Sequence, residues 1–245
     1  MASNLKRRND KLKNKTMAYY QGYYVIFGIF MLISWLVGNQ LKRRFKEYSK
    51  IPLRMGLSGR DIAERMLHYY SIYDVKIESV PGQLTDHYNP VNKTVNLSPE
   101  VYDGKSVASA AIAAHECGHA VQHATAYSFL KMRSALVPIV NFSSNIIQWV
   151  LLAGILLINV FPTLLLAGII LFATTTLFSF ITLPVEIDAS RRALAWLDNS
   201  GITSGEEHAK ASNALRWAAS TYVVAAIASL ATLLYYIWIF TGRRN

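Results

Sequence analysis

The chain has 245 residues, of which 52% are hydrophobic, and it carries a formal net charge of +10. This composition is too apolar for an ordinary soluble domain, and a single cysteine excludes an intrachain disulfide. The basic residues cluster beside apolar runs without aromatic residues between them, so we expect no nucleic-acid partner. Such clusters instead favour contact with anionic lipid headgroups. They are Lys6–Arg8, Lys42–Arg44 and Arg243–Arg244.

The first 38 residues combine a basic segment with an apolar run. Residues 1–17 are polar and basic, and we expect them to form a flexible tail. Residues 18–38 reach the length of about 20 apolar residues that a helix needs to cross a bilayer. This run is too long for the apolar part of a signal peptide, and it lacks a cleavage site. We therefore predict a first transmembrane helix over residues 18–38.

Residues 39–135 are soluble in character and mix helix and strand patterns. Ser58–Leu67 has the pattern of a capped amphipathic helix. Val75–Val80 alternates like a strand, and Lys93–Leu97 predicts a second strand after the polar loop Thr85–Asn92. A pair of strands is therefore expected ahead of the next helix.

The next helix is predicted by an alanine-rich stretch, residues 110–124, which contains no proline and one glycine. Within it, His115, Glu116 and His119 form the motif H-E-x-x-H. Two histidines at positions i and i+4 lie on one helix face, where both rings can bind one Zn²⁺. Glu116 lies beside that ion and can act as a base. Cys117 points away from this face and is expected to pack against neighbouring elements.

A third ligand must come from elsewhere in the chain. His123 lies roughly 12 Å along the helix axis from His115, at about 1.5 Å per residue, which is too far for one ion. No glycine follows His119 to turn the chain back toward a later histidine. We therefore expect His123 to support a ligand or to line the cleft. The best third ligand is Glu186, which follows a long apolar run and begins a helical pattern.

Two further membrane spans precede Glu186, and one follows it. Residues 136–185 are nearly uncharged and too long for one span, and Asn159–Pro162 is the natural break between two. A hairpin of two spans returns the chain to the side it left, which allows Glu186 to reach the two histidines. The predicted segments are spans over 136–160 and 163–185, a helical segment over 186–218 that carries the third ligand, and a last span over 219–241.

Four motifs resemble, in the same order, the YugP-like neutral zinc metallopeptidases of membranes. More distantly, the chain is similar to the HtpX and CAAX-prenyl proteases, which are gluzincin-like membrane proteases with a glutamate downstream of H-E-x-x-H. The motifs are D-H-Y-N-P (Asp86–Pro90), K-T-V-N-L-S (Lys93–Ser98), A-A-H-E-C-G-H-A-V-Q-H (Ala113–His123) and P-V-E-I-D-A-S-R-R-A-L (Pro184–Leu194).

The resemblance implies one Zn²⁺ per chain, bound by His115, His119 and Glu186, with Glu116 as the base. The distant relatives carry an aspartate four residues after the glutamate, where this chain has Ser190. Whether Ser190 or the nearby Asp188 supports a ligand histidine therefore stays open.

Other residues are candidates for contacts with a substrate. In zincin-like folds an edge strand beside the metal pairs with extended substrate backbone. We expect Thr94, Val95, Asn96 and Leu97 to form that strand, although an ordinary structural hairpin explains them equally well. His208 and Tyr222 are candidates to stabilise a developing oxyanion, although a structural role explains each of them better.

The sequence thus predicts a mainly α membrane protein, with four transmembrane helices and a small α+β zincin-like domain that carries the H-E-x-x-H helix. The predicted function is an integral-membrane zinc endopeptidase that acts on membrane or membrane-proximal proteins. The alternative is a non-proteolytic membrane scaffold that retains a structural or degenerate metal site. The presence of Glu116 and the lack of a fourth protein ligand favour the enzyme. A transporter is disfavoured because the spans contain no acidic residue except Glu186 at an edge.

The predicted location is the cell membrane, which the chain crosses several times. Lys and Arg near the span ends number roughly 8 on the side of the termini and about 12 on the catalytic side, which favours a cytoplasmic active site. The absence of disulfides is consistent with that side. The sequence leaves the oligomeric state open.

Overall fold

The computed structural model describes residues 2–242, with the side chains of residue 22 and residues 24–242. This part of the chain contains seven helices and a three-stranded sheet. In chain order the elements are α1 (Ala2–Tyr48), α2 (Gly59–Tyr69), β1 (Lys76–Ser79), β2 (His87–Asn89), β3 (Thr94–Leu97), α3 (Pro99–Tyr102), α4 (Val107–Ala124), α5 (Ser128–Leu156), α6 (Pro162–Asn199) and α7 (Gly205–Gly242).

Among the described residues, four helices are long and apolar enough to cross a membrane: α1 from Tyr24 onward, α5, α6 and α7. The break between α5 and α6 falls at residues 157–161, where the sequence predicts it. The mainly α membrane fold with a small sheet is therefore confirmed.

All four of these helices extend beyond their predicted spans, and α5 does so by beginning at Ser128. Helix α1 begins at Ala2, so the segment 1–17, expected to be a flexible tail, is helical from Ala2 onward. The reason lies in the sequence, because no glycine or proline interrupts it before Gly22. Helices α6 and α7 likewise continue through residues 186–199 and 205–218 without a break. The side chains of Lys6–Arg8 and the residues Arg243–Arg244 lie outside the described part.

The sheet has the order β1-β3-β2, which places β3 in the centre. Strand β3 pairs in parallel with β1 and antiparallel with β2. The expectation that Thr94–Leu97 is an open edge strand is therefore wrong, because neighbouring strands already occupy both of its sides. The edge strands are β1 and β2. Strand β2 is not predicted from the sequence, because its three residues lie within a polar stretch typical of a loop.

The structure divides into two units, and one of them comprises Val37–Leu136 and Phe180–Val223. Helix α4 is buried on nearly all sides within this unit. Its alanines allow neighbouring elements to pack closely against it. The packed side chains include Ile62 and Met66 from α2, Val95 and Leu97 from β3, and Trp196 and Leu197 from α6.

Helix α2 begins as its sequence predicts. The Ser58 side chain accepts a hydrogen bond from the backbone N–H of Asp61, and the Asp61 carboxylate accepts one from the N–H of Ser58. The hydrogen bonds that the backbone N–H and the hydroxyl of Ser58 donate to this carboxylate lower the pKa of Asp61, so the carboxylate stays charged near the positive end of the helix dipole.

The other unit comprises Met1–Leu36, Val137–Ser179 and Val224–Asn245. Buried residues of this unit include Leu151 of α5, Leu165 and Ile169 of α6, and Tyr236 of α7. Gly154 of α5 allows a close approach of α6, since a Cβ at this position would lie 2.6 Å from the Cα of Leu165.

Candidate metal centre

His115, His119 and Glu186 converge, as the sequence predicts. The Nε2 atoms of His115 and His119 lie 3.4 Å and 3.5 Å from Oε2 of Glu186. His119 and Glu186 are buried, and the side chain of His115 is 12% exposed. Within the part of the chain that the structure describes, this is the one group of three potential His, Cys, Asp or Glu ligands close enough to hold a metal ion.

The geometry of the three ligand atoms fits zinc. Ligands about 2.0–2.1 Å from a tetrahedral ion lie about 3.3 Å apart, close to the observed distances from each nitrogen to the carboxylate oxygen. The atoms all lie within 4.8 Å of one another. Two nitrogens and one oxygen are the donor set of catalytic zinc sites that leave a fourth position open.

The electrostatic environment also favours a cation. Burial lowers the pKa of His119, but hydrogen bonding to Glu186 and the negative charge of Glu116 outweigh that effect and raise it. The same carboxylates that attract a proton to this ring attract a metal ion when the ring is neutral. Cys117 lies nearby but is not suited to be a ligand, because burial raises the pKa of its thiol and its Sγ points to the carbonyl oxygen of Ala63.

Gln122 holds His119 in the orientation that a ligand needs. Nδ1 of His119 lies 3.1 Å from Oε1 of Gln122, which can only accept a hydrogen bond, so Nδ1 carries the proton and Nε2 is free for a metal. The amide nitrogen of Gln122 donates to the carbonyl oxygen of Val185 at 2.8 Å and to Oδ2 of Asp188 at 2.9 Å. Arg192 donates to the same carboxylate oxygen at 2.6 Å. Asp188 therefore supports His119 through Gln122.

Ser190 supports the other histidine directly. Its Oγ lies 3.1 Å from Nδ1 of His115 and can accept the proton of that ring nitrogen. The sequence left open whether Ser190 or Asp188 supports a ligand histidine. In the structure both do: Ser190 contacts the ring of His115, and Asp188 contacts Gln122, whose amide contacts the ring of His119. Gln122 was not identified from the sequence, although its position three residues after His119 on one helix was a usable signal.

Gly118 explains how α6 comes close enough to supply Glu186. A Cβ at this position would lie 2.5 Å from the carbonyl oxygen of Ala189, so any side chain would push the two helices apart. Ala189 is itself fully buried. The glycine between the two histidines is therefore required for packing, and the packing brings the carboxylate of Glu186 to the histidine rings.

Glu116 and Tyr222 line a cavity that also contains His115 and Glu186. Glu116 is 8% exposed, and it is absent from the three-ligand group. The phenol of Tyr222 interacts electrostatically with Glu116 and Glu186. The arrangement places a free carboxylate and a hydroxyl donor next to the metal ligands.

Several sequence candidates lie away from this cavity. His123 is exposed and interacts through Nδ1 with the hydroxyl of Tyr88 at 2.8 Å. His208 interacts through Nδ1 with Thr203 and lines a different cavity, near Arg191. The strand Thr94–Leu97 is buried in the sheet.

Comparisons with known proteins identify a family and a relative of this chain. Residues 23–241 match the family described as "Putative neutral zinc metallopeptidase". The chain is 40% identical over 206 residues to a Bacillus subtilis (strain 168) protein named "Putative membrane protease YugP", which covers 84% of this chain and 91% of that protein. No solved structure matches the chain. Because the family match covers most of the sequence, the chain belongs to the neutral zinc metallopeptidase family.

Proposed function

We propose that this protein is an integral-membrane endopeptidase that binds one zinc ion per chain. The observation that carries the proposal is the geometry of the cavity, where His115, His119 and Glu186 converge beside Glu116, a carboxylate outside the ligand group. A structural metal site has no need of a free base, and it usually has four protein ligands. This comparison disfavours the alternative, a non-proteolytic scaffold.

Each residue of the site has a separate task in hydrolysis. His115, His119 and Glu186 would hold the ion, and a zinc ion bound there would polarise a carbonyl group and lower the pKa of water. Glu116 takes a proton from the attacking water and later gives it to the leaving amine. Ser190 and Gln122 keep the histidine rings in place by accepting their Nδ1 protons.

The substrates in this proposal are membrane proteins or protein segments close to the membrane. The four candidate spans hold the chain in a bilayer. Peptide bonds near the surface of the bilayer therefore reach the site most readily. The proposed location is the cell membrane, with the active site on the cytoplasmic side.

The function is tested with protein purified in detergent, reconstituted in nanodiscs and incubated with a complex peptide mixture. We expect new peptide ends in the zinc-loaded sample, identified by mass spectrometry. Removal of the metal with 1,10-phenanthroline should abolish them, and added zinc should restore them. Zinc-loaded protein that releases no new ends from any peptide would favour the scaffold.

Tyr222 is proposed to donate a hydrogen bond to the oxyanion that forms during attack. Loss of one such donor commonly lowers kcat by about 10²–10³-fold. We expect Tyr222→Phe to show this decrease with unchanged zinc content and little change in KM. The matched control is Tyr73→Phe, since Tyr73 is 74% exposed and lies outside the cavity lining. An unchanged kcat in Tyr222→Phe would rule out this role.

A further inference from the structure

The cavity beside the metal ligands has two chemically different ends. Its volume is about 190 Å³. At one end lie the carboxylates of Glu116 and Glu186 and the ring of His115. The remaining wall is almost entirely apolar and is formed by α1, α4 and α7 together with Leu84; its main residues are Leu41, Phe45, Ala108, Ile112, Ala214 and Ala218.

The lining also contains Asp86, whose carboxylate already has hydrogen-bond partners within the protein. Asp86 accepts hydrogen bonds from the backbone N–H of Ser98 at 2.7 Å and from its hydroxyl at 3.1 Å. Burial raises the pKa of Asp86, while its hydrogen bonds with Ser98 oppose that increase. The remaining wall of the cavity therefore offers a ligand apolar contact and little polar contact.

The size of the cavity selects among apolar groups. A cavity of roughly 150 Å³ lined by aliphatic and aromatic side chains binds benzene. This cavity, with its polar end included, has about 190 Å³, which is compatible with a phenyl ring or a branched aliphatic side chain. Four of the wall residues are alanines, Ala108, Ala214, Ala218 and Ala219, and their short side chains leave this space open. Larger residues at the same positions would fill it.

We propose that this cavity is the specificity pocket of the protein, and that it binds a large apolar side chain, phenylalanine or leucine in size, from one of the two residues that flank the scissile bond. The proposal rests on the proposed function, because it names the substrate class of the same site. Ala218 on α7 and Ile112 on α4 determine the size of the pocket from two sides.

The test measures binding, so it does not depend on hydrolysis. Two peptide hydroxamates share one backbone and differ only in a benzyl or a methyl side chain next to the zinc-binding group. Their affinities for zinc-loaded protein in nanodiscs are measured by calorimetry. Because burial of a phenyl side chain strengthens binding by about 10-fold to 100-fold, we expect the benzyl compound to bind more tightly by that factor.

Variants of the pocket then test whether the preference for the benzyl compound arises from binding in this cavity. Ala218→Phe fills the pocket and should abolish the preference for benzyl while methyl still binds. Ile112→Ala enlarges the pocket from the opposite wall and should favour a naphthyl side chain over benzyl. The control Ala225→Phe adds the same ring at an exposed position of α7 outside the pocket lining, and it should leave the preference unchanged.

Equal affinity of the two hydroxamates for the wild-type protein would overturn the proposal, as would failure of both to bind. A preference that survives in both Ala218→Phe and Ile112→Ala would also overturn it, since the side chain would then bind elsewhere. Failure of the proposed function has a different signature: a benzyl preference that responds to the variants, in a zinc-loaded protein that hydrolyses no peptide.

Discussion

The variant Glu116→Gln is expected to retain about one zinc ion per chain and to lose peptide hydrolysis by a factor of about 10²–10⁴ or more. Glutamine has nearly the shape of glutamate, so the buried position next to His115 is preserved, but an amide cannot accept the proton of water. Glu116 lies outside the group of three potential metal ligands. Zinc content is measured by elemental analysis, and hydrolysis by the release of new peptide ends.

Glu64→Gln is the matched control, because Glu64 is an exposed helical glutamate remote from the metal ligands. It should keep both zinc and activity. If Glu116→Gln lost its zinc, Glu116 would be a ligand rather than a base. If the variant kept most of its activity, another group would have to accept the proton.

The variant Glu186→Ala should bind zinc far more weakly, because two histidines would remain where three ligands converge. Loss of a residue that merely supports a ligand often weakens metal binding by about 10–100-fold, so loss of a ligand should exceed that range. The expected zinc content after dialysis is close to zero, compared with about one ion per wild-type chain. The zinc content of the two proteins, prepared side by side, is measured by elemental analysis.

Glu206→Ala provides the control for this experiment. Glu206 is a helical glutamate too, but it is exposed and pairs only with Lys210 on its own helix, a type of pair that contributes little to stability. Its variant should retain zinc and the circular dichroism spectrum of the wild type. Normal zinc content in a folded Glu186→Ala variant would exclude Glu186 as the third ligand.

The membrane spans and the H-E-x-x-H helix could be predicted because their signals are local. A run of about 20 apolar residues crosses a bilayer whatever surrounds it, and the i, i+4 spacing of His115 and His119 places both rings on one face of any helix. Glu186 was predicted to be the third metal ligand. The prediction came from its place at the end of two apolar spans, which return the chain to the side of the membrane where His115 and His119 lie.

The sheet could not be predicted with the same success, because strand order depends on contacts between distant residues. The alternation in Val75–Val80 and Lys93–Leu97 identified two strands but could not show that they are parallel. Nor could it reveal that His87–Asn89 forms the other neighbour of β3. Three residues of polar sequence carry too little periodicity to distinguish a strand from a loop.

The sequence by itself determined the membrane class of this protein and the H-E-x-x-H helix. It also identified the three candidate metal ligands, His115, His119 and Glu186. Those properties follow from the length of apolar runs and from helix periodicity, which depend only on neighbouring residues. Only the tertiary structure revealed the contact of Gly118 with Ala189, the support of His119 by Gln122 and Asp188, and the apolar cavity beside Glu116. These properties depend on how closely separate helices approach one another, and that distance is decided by the packing of side chains from many parts of the chain.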